Sequence, residues 1–413
     1  MDNIAILFEG VLALRVGHFV MYAIGGTLIY LAIKKEYEPM LLLPIGFGAI
    51  LVNLPLKTIW EFEPMLDPIV TAIVAKSPEL EAFFIEHLHY IFQGGQAFKQ
   101  EPSILQVLFR SGILNEMFPV LIFLAIGAMM DFSSLLKNPK MLMMGAAAQF
   151  GIFSTIIAAQ FLGFDLYHAA AIGIIGAADG PTAIYVASKF AKDLLGPISV
   201  VAYSYMSLVP IIQPPVVRLI TTKEERRLGV PFNNIKLSKT VLIIFPIAAT
   251  AITGIIAPSS VPLIGFLMFG NLIRESGVLK RLSDSAQNEL ANLVTLLLGI
   301  TIGSTMYYEQ FLQKQTLFIL GMGLIAFVFD TAGGVVFVKG LNLFSKEKMN
   351  PMVGAAGISA FPMSARVIQK MAQSEDPFNN ILMQAATANV AGQIGSVVAG
   401  SIVLALVPML LLG

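Results

Sequence analysis

The sequence predicts an all-α polytopic membrane protein built from two inverted repeats with paired discontinuous helices. Three observations carry this prediction. Hydrophobic residues fill 56% of the 413 positions and charged residues only 13%, about half of the ~25% that covers a soluble domain. The apolar residues fall in long runs separated by short charged stretches. The 35 Gly and 22 Pro lie inside those runs, where membrane helices tolerate them if neighbours or cavities satisfy the freed backbone groups.

Taken in order, a first span covers Gly17 to Ile33 and stops at Lys34, Lys35, Glu36 and Glu38. Met40 to Leu54 is short for a ~20-residue crossing and holds Pro44, Gly46 and Gly48, so a tilted or broken helix is expected. The more polar stretch 55–117, with Trp60, His87 and His89, reads as an insertion of extramembrane and interfacial helices. Apolar segments follow at Phe118–Met130, Met141–Phe161, Ala169–Ser188 and Ile198–Leu219. The second half supplies Thr240–Ile256, Val261–Ile273, Leu290–Ser304, Leu317–Val338, Met352–Ala365 and Ile381–Leu412. Roughly ten spanning or partly spanning segments are therefore expected. The chain divides into an N-terminal span (1–39), a first repeat (40–222), a central basic loop (223–239) and a second repeat (240–413). Met1–Gly10 shows no basic start or small-residue cleavage pattern, so no cleavable signal is expected.

Orientation follows from the basic residues. Arg218, Lys223, Arg226 and Arg227, with Lys236 and Lys239 beyond, favour a cytoplasmic central loop. Lys189 and Lys192 compete from one apolar segment earlier.

The two halves align with each other. Leu124-Ala-Ile-Gly-Ala-Met-Met130 matches Ile300-Thr-Ile-Gly-Ser-Thr-Met306, and Gly145 falls on Gly321 at the same offset. Five residues must then be added. Gly176-Ala-Ala-Asp-Gly-Pro181 matches Gly357-Ile-Ser-Ala-Phe-Pro362, and Lys189 falls on Lys370. Pro44–Asn53 pairs with Pro262–Asn271. Paired Gly/Pro interruptions in two halves point to broken helices around a midplane site.

Several chemistries are excluded. The 26 basic and 26 acidic residues cancel without a polybasic run, which argues against nucleic acid as a partner. Cysteine is absent, removing disulfides and thiolate chemistry. There is no phosphate loop, catalytic triad or zinc spacing.

Asp179 is the sharpest candidate. Its apolar setting makes an ionisable group costly and functional by default, as an ion ligand beside exposed backbone carbonyls. It also precedes Gly180-Pro181, so a helix N-cap is the plainer alternative, and the two roles are compatible. Arg366 stands in the equivalent half-helix of the second repeat, suited to an anionic or carbonyl-bearing substrate or to snorkelling. Tyr203 and Tyr205 share one apolar segment before Gln213-Pro214-Pro215, which points to a cavity. Asp330 is a second embedded carboxylate, an ion site or a helix–helix hydrogen bond.

The run Gly173-Ile-Ile-Gly-Ala-Ala-Asp-Gly-Pro-Thr-Ala-Ile-Tyr185 resembles the β subunit of the biotin-dependent sodium-pumping decarboxylases. That family comprises the oxaloacetate, methylmalonyl-CoA and glutaconyl-CoA enzymes. The likeness runs from Lys35 to the C-terminus and includes Glu38-Pro39-Met-Leu-Leu-Leu-Pro-Ile-Gly-Phe-Gly48 and Met349-Asn-Pro351; 76–110 matches least. It implies decarboxylation of carboxybiotin within the membrane, consuming a proton and exporting Na⁺. It implies a biotin-carrying carboxyltransferase partner that presents the carboxybiotin, a small membrane subunit and several copies of this chain per complex. It further implies multi-pass placement in a bacterial or archaeal cytoplasmic membrane. The family's functional acid corresponds to Asp179 and its functional tyrosine to Tyr205, with Asn350, Gly354, Ser359 and Arg366 as a second functional region. On that basis Tyr205, Asp179 and Arg366 are expected in the chemistry, and Arg366 and Asn350 at the carboxybiotin. Asp179, Ser359, Asn350 and Gly354 are the expected Na⁺ ligands. An alternative is a Na⁺-coupled carboxylate transporter with the same repeat and no chemistry. A membrane anchor without activity is disfavoured, since an anchor has no use for the cost of Asp179.

Overall fold

A computed structural model describes residues 14–54, 77, 90–93, 96–99, 104–229 and 237–412. Trp60, His87, His89 and Lys236 lie outside the described residues. Fourteen main helices organise the rest: α1 Val16–Lys34, α2 Pro39–Val52, α3 Met117–Met129, α4 Lys140–Ala147, α5 Phe150–Phe161, α6 Leu166–Gly173 and α7 Gly180–Phe190 in the first half. The longer α8 Leu195–Ile220 leads to α9 Lys239–Ile256, α10 Val261–Ser276, α11 Ala291–Ser304, α12 Lys314–Phe344, α13 Met363–Glu375 and α14 Leu382–Leu412.

Five described helical stretches are long and apolar enough to cross a membrane, and six if a pair bent by 60° at Asn115-Glu116 forms one span. The count is below the ten or so segments expected, because several apolar blocks fold as short helices that do not cross alone. In the polar insertion the described residues include one antiparallel hairpin, Tyr90–Gln93 with Gln96–Lys99, where helices were expected. The spans turn Phe153, Ile157, Phe161, Phe318 and Leu324 outward, the apolar surface a bilayer requires.

The two halves interlock reciprocally. α2 of the first half packs on α11 of the second, and α10 of the second packs on α3 of the first. Small residues allow both contacts: a Cβ on Gly303 would stand 2.3 Å from Ile45 O, and one on Gly127 1.8 Å from Leu267 O. The polar ties repeat as well. Asn53 Nδ2 donates to Met306 O at 2.8 Å, and Asn271 Nδ2 to Met130 O at 3.0 Å. These are the residues that the sequence alignment pairs, Asn53 with Asn271 and Met130 with Met306.

Two apolar segments that read as spans are re-entrant hairpins. In hairpin 1, α6 tightens into a 3₁₀ turn at Ile174–Ala177, Ala178 takes the left-handed conformation (φ 51°), and α7 leaves in a new direction. Its ends meet again: the Tyr167 and Phe190 rings lie 5.0 Å apart, and His168 Nε2 lies 3.0 Å from Asp193. Hairpin 2 runs from Asn350 through the turn Met352–Ala355, breaks, and returns along α13. Asn350 Nδ2 donates to the carbonyls of Arg226 and Leu228, Asn379 Nδ2 donates to the same two, and Arg226 pairs with Glu375 at 2.8 Å.

The mouths lie at opposite ends of α8. Asp193 lies just before this helix and Arg226 just beyond it, and its 26 residues span ~39 Å against a ~30 Å hydrocarbon core. The two hairpins therefore enter from opposite ends, and their tips touch where the Ser359 N–H donates to Ala177 O at 3.0 Å.

Candidate functional site

Asp179 sits at the tip of hairpin 1, 1% exposed. It caps α7: Thr182 N–H and Oγ1 donate to its carboxylate at 3.4 and 2.6 Å. Pro181 lies in the first turn, where its missing N–H costs nothing. Across the interface, Ser396 Oγ donates to Oδ2 at 2.6 Å and Gln393 Nε2 at 3.4 Å, both from α14. Cap and buried-charge site thus coincide. No cationic side chain appears among these contacts, so the charge is held by dipoles.

Around the tips, buried oxygens are left free. Asn389 donates from Nδ2 to Ile358 O at 2.6 Å and leaves Oδ1 without a partner. Gln393 likewise leaves Oε1 free, and Gln149 bonds Gly145 O and Gly357 O through Nε2 with Oε1 unpartnered. Ser359 Oγ donates to Gly392 O at 2.9 Å and keeps lone pairs to offer. Unpartnered buried acceptors are costly in a dry interior, and a set of them near one carboxylate matches the hard-oxygen preference of a small cation. Asn389, Gln393 and Ser396 recur at i, i+4 and i+7 of one helix face, a polar stripe in an apolar span. That periodicity is visible in the sequence, but its uncharged members do not stand out among the apolar residues.

The remaining expected residues disperse. Tyr205 donates its hydroxyl to Leu320 O at 2.6 Å and packs on Gly323, without contacting Asp179. Tyr203, two residues earlier, is the tyrosine at the tip: a Cβ on Gly180 would lie 2.3 Å from its Cζ, and its buried hydroxyl has no partner. The helix turns Tyr205 away from the break that Tyr203 faces. Asn350 is committed to the mouth of hairpin 2, its Oδ1 accepting from Met352 N–H at 3.1 Å. Gly354 permits close backbone packing, since a Cβ there would stand 2.0 Å from Gly334 O. Arg366 is exposed on α13, its charge acting on Glu38 at the start of α2. Of the expected residues, the structure joins Asp179 and Ser359 at the tips. It places Tyr205, Asn350, Gly354 and Arg366 elsewhere.

Asp330 is fully buried on α12 against Gly151 and Gly176. The N–H groups of Gly151 and Ile152 are its nearest donors. Neither carboxylate oxygen makes a hydrogen bond of good geometry, so the contact with these N–H groups is weak.

Apolar spans and two opposed re-entrant hairpins, meeting beside a buried carboxylate, define a multi-pass membrane protein with a polar site where its two halves meet. Comparison with known proteins narrows this class. The family model for the Na⁺-transporting oxaloacetate decarboxylase beta subunit matches residues 17–407, and the chain belongs to that family. The methylmalonyl-CoA decarboxylase subunit beta of Propionigenium modestum is 46% identical over 399 residues, 96% of each chain. The glutaconyl-CoA decarboxylase subunit beta of Acidaminococcus fermentans is 46% identical, covering 97% of this chain and 96% of its own. The oxaloacetate decarboxylase beta chain of Klebsiella pneumoniae is 42% identical, covering 98% and 99%. Membership in a family of beta subunits places the chain in a multi-subunit assembly that uses Na⁺ and biotin-dependent chemistry.

Proposed function

We propose that this protein decarboxylates carboxybiotin, presented by a biotin-carrying carboxyltransferase partner, and couples the step to Na⁺ export. The carrying observation is Asp179, a buried carboxylate at the contact of two hairpins that open toward opposite ends of α8. A cation held there is one hairpin away from either membrane face. The reciprocal α2–α11 and α3–α10 packing, with the matched Asn53 and Asn271 bonds, supports the inverted repeat read from the sequence. Family membership disfavours a carboxylate transporter without chemistry.

In this scheme Asp179 supplies the charge and Asn389, Gln393 and Ser359 supply neutral oxygens to Na⁺. Decarboxylation breaks the N–CO₂ bond of carboxybiotin and releases CO₂, and the ureido nitrogen takes up one proton. Water exclusion favours the step, because a carboxylate loses its hydration as the bond breaks. Tyr205 is the proposed proton donor or relay, and Tyr203 is available beside Asp179. Arg366 is exposed, with the planar fork that an arriving carboxylate or ureido oxygen requires. A small membrane subunit and further copies of this chain complete the proposed complex, in a bacterial or archaeal cytoplasmic membrane. The basic cluster of Arg218, Lys223, Arg226 and Arg227 supports a cytoplasmic mouth for hairpin 2, against only Lys189 and Lys192 at hairpin 1.

The test is CO₂ release from free carboxybiotin by the purified complex, with and without Na⁺, in wild type and Asp179→Asn. Na⁺-stimulated release that Asp179→Asn abolishes supports the proposal. Na⁺ uptake without CO₂ release would make the protein a transporter.

A further inference from the structure

The mouth of hairpin 1 holds a titratable cluster that takes no part at the tip. Asp165 caps α6, accepting from the N–H groups of Tyr167 at 2.9 Å and His168 at 3.2 Å. Its second oxygen contacts His168 Nδ1. His168 Nε2 lies 3.0 and 3.1 Å from the two carboxylate oxygens of Asp193, in the turn that follows α7. One imidazole thus ties the incoming limb of the hairpin to the outgoing one. A neutral ring has one N–H and satisfies one carboxylate, while a protonated ring donates to both.

The cluster is open to solvent, with Asp165 57%, Asp193 64% and His168 26% exposed. The surrounding charges are few. α5 and α14, which pack on α6, carry no charged residue. From α12, Asp330 faces Gly151 and Gly176, and Lys339 pairs with Glu225 at the other mouth, while Lys314 opens that helix. On α7, Lys189 pairs with Glu116 at 2.8 Å, and Lys192 shares the turn of Asp193. The charges that act on the ring are those of Asp193 and Asp165. Partial burial pulls the His168 pKa down, but the bonds and charges of the two carboxylates outweigh it and the net shift is upward. For Asp165, burial pushes upward and the His168 contacts outweigh it, so its carboxyl lies below the usual value.

We propose that His168 is a positioning residue that clamps hairpin 1 at its mouth when protonated and releases it when neutral. The pH at this face then sets how readily the path to Asp179 opens. The inference rests on the re-entrant geometry and does not depend on Na⁺ binding at the tip. A raised pKa in the clamped state means that the clamp is complete below the ordinary histidine value of about 6.5. It is lost as pH rises through the higher, clamped value. The lowered Asp165 weakens it only in strong acid.

The absence of cysteine from the chain makes a direct test clean. Nitroxides on Leu162→Cys, exposed just before the incoming limb, and Lys192→Cys, exposed just after the outgoing one, report the width of the mouth in the assembled complex in liposomes. Dipolar distances are measured from about pH 5.5 to about pH 9, bracketing the imidazole range. Wild type should show one narrow separation in acid and a growing longer population toward alkaline pH. Asp193→Asn should move that midpoint to lower pH, and His168→Gln should remove the pH dependence. An unchanging wild-type distribution, or the same transition in His168→Gln, would overturn the clamp. A persistent clamp alongside wild-type Na⁺ dependence in Asp179→Asn would overturn only the ion assignment.

Discussion

Ser396 and Asp179, 217 residues apart, share a 2.6 Å hydrogen bond that ties the last helix to the tip of hairpin 1. A serine hydroxyl on a buried carboxylate is a charge-assisted bond, worth about 1.5–3 kcal/mol. It joins the two halves of the chain at a buried carboxylate.

Asp179→Asn retains the shape and one oxygen of the side chain and removes the charge. The variant should insert and assemble, and lose Na⁺-stimulated decarboxylation together with pumping. Protons and Na⁺ compete for the same carboxylate, so in wild type the apparent Na⁺ affinity should fall as pH is lowered. Decarboxylation against Na⁺ concentration at several pH values checks both. Wild-type Na⁺ dependence in the Asn variant would make Asp179 a cap alone and Asp330 the next carboxylate to test.

Ser396→Ala removes one donor from Asp179 without adding volume. The half-saturating Na⁺ concentration should change by roughly ten- to a hundredfold, the size of one charge-assisted hydrogen bond. Gln393→Leu should weaken Na⁺ binding by removing a free oxygen. Titrations of Na⁺-dependent activity that leave both variants at the wild-type value would separate α14 from the ion site.

The two tyrosines should split kinetically. Tyr205→Phe is expected to lower maximal decarboxylation more than it weakens Na⁺ binding. Tyr203→Phe, which alters the group beside Gly180 and Asp179, should act mainly on the half-saturating Na⁺ concentration. Reversal of the two patterns would exchange their roles.

Packing at the reciprocal contacts is testable without activity. A methyl on Gly127 would enter the space of Leu267 O, so Gly127→Ala should destabilise by about 1–3 kcal/mol. Asn271→Ala leaves Met130 O without its side-chain donor and should cost about 1–3 kcal/mol. Thermal unfolding of the complex in detergent should show both, while Gly321→Ala, which meets open space, should be near neutral.

Much of this architecture was legible in the chain itself. The pairing of Asn53 with Asn271 and of Met130 with Met306 came from sequence alignment, and the same residues form matched bonds in space. Asp179 stood out because a charge amid apolar residues, before Gly-Pro, has few physical explanations. The polar stripe Asn389, Gln393 and Ser396 obeyed helical periodicity but carried no charge to draw attention. Asn350 and Gly354 were carried by resemblance alone, which fixes residue types and not their neighbours. Arg366 and Tyr205 also stood out as polar groups in apolar segments, but periodicity does not say what they face.

Composition and the spacing of apolar runs determined by themselves that the chain lives in a membrane and breaks its helices at Asp179 and near Pro362. These are local consequences of hydrophobicity, of proline's missing donor and of the cost of an isolated charge. Whether a broken apolar segment crosses or turns back was decided only in three dimensions. Hydropathy records how much apolar surface a segment has and not the direction in which it leaves its break. The mouth of hairpin 1 is then closed by His168 meeting Asp193, and that of hairpin 2 by Asn350 and Asn379 sharing the carbonyls of Arg226 and Leu228. Each is a bond between residues far apart in the chain, available only once the intervening helices have packed.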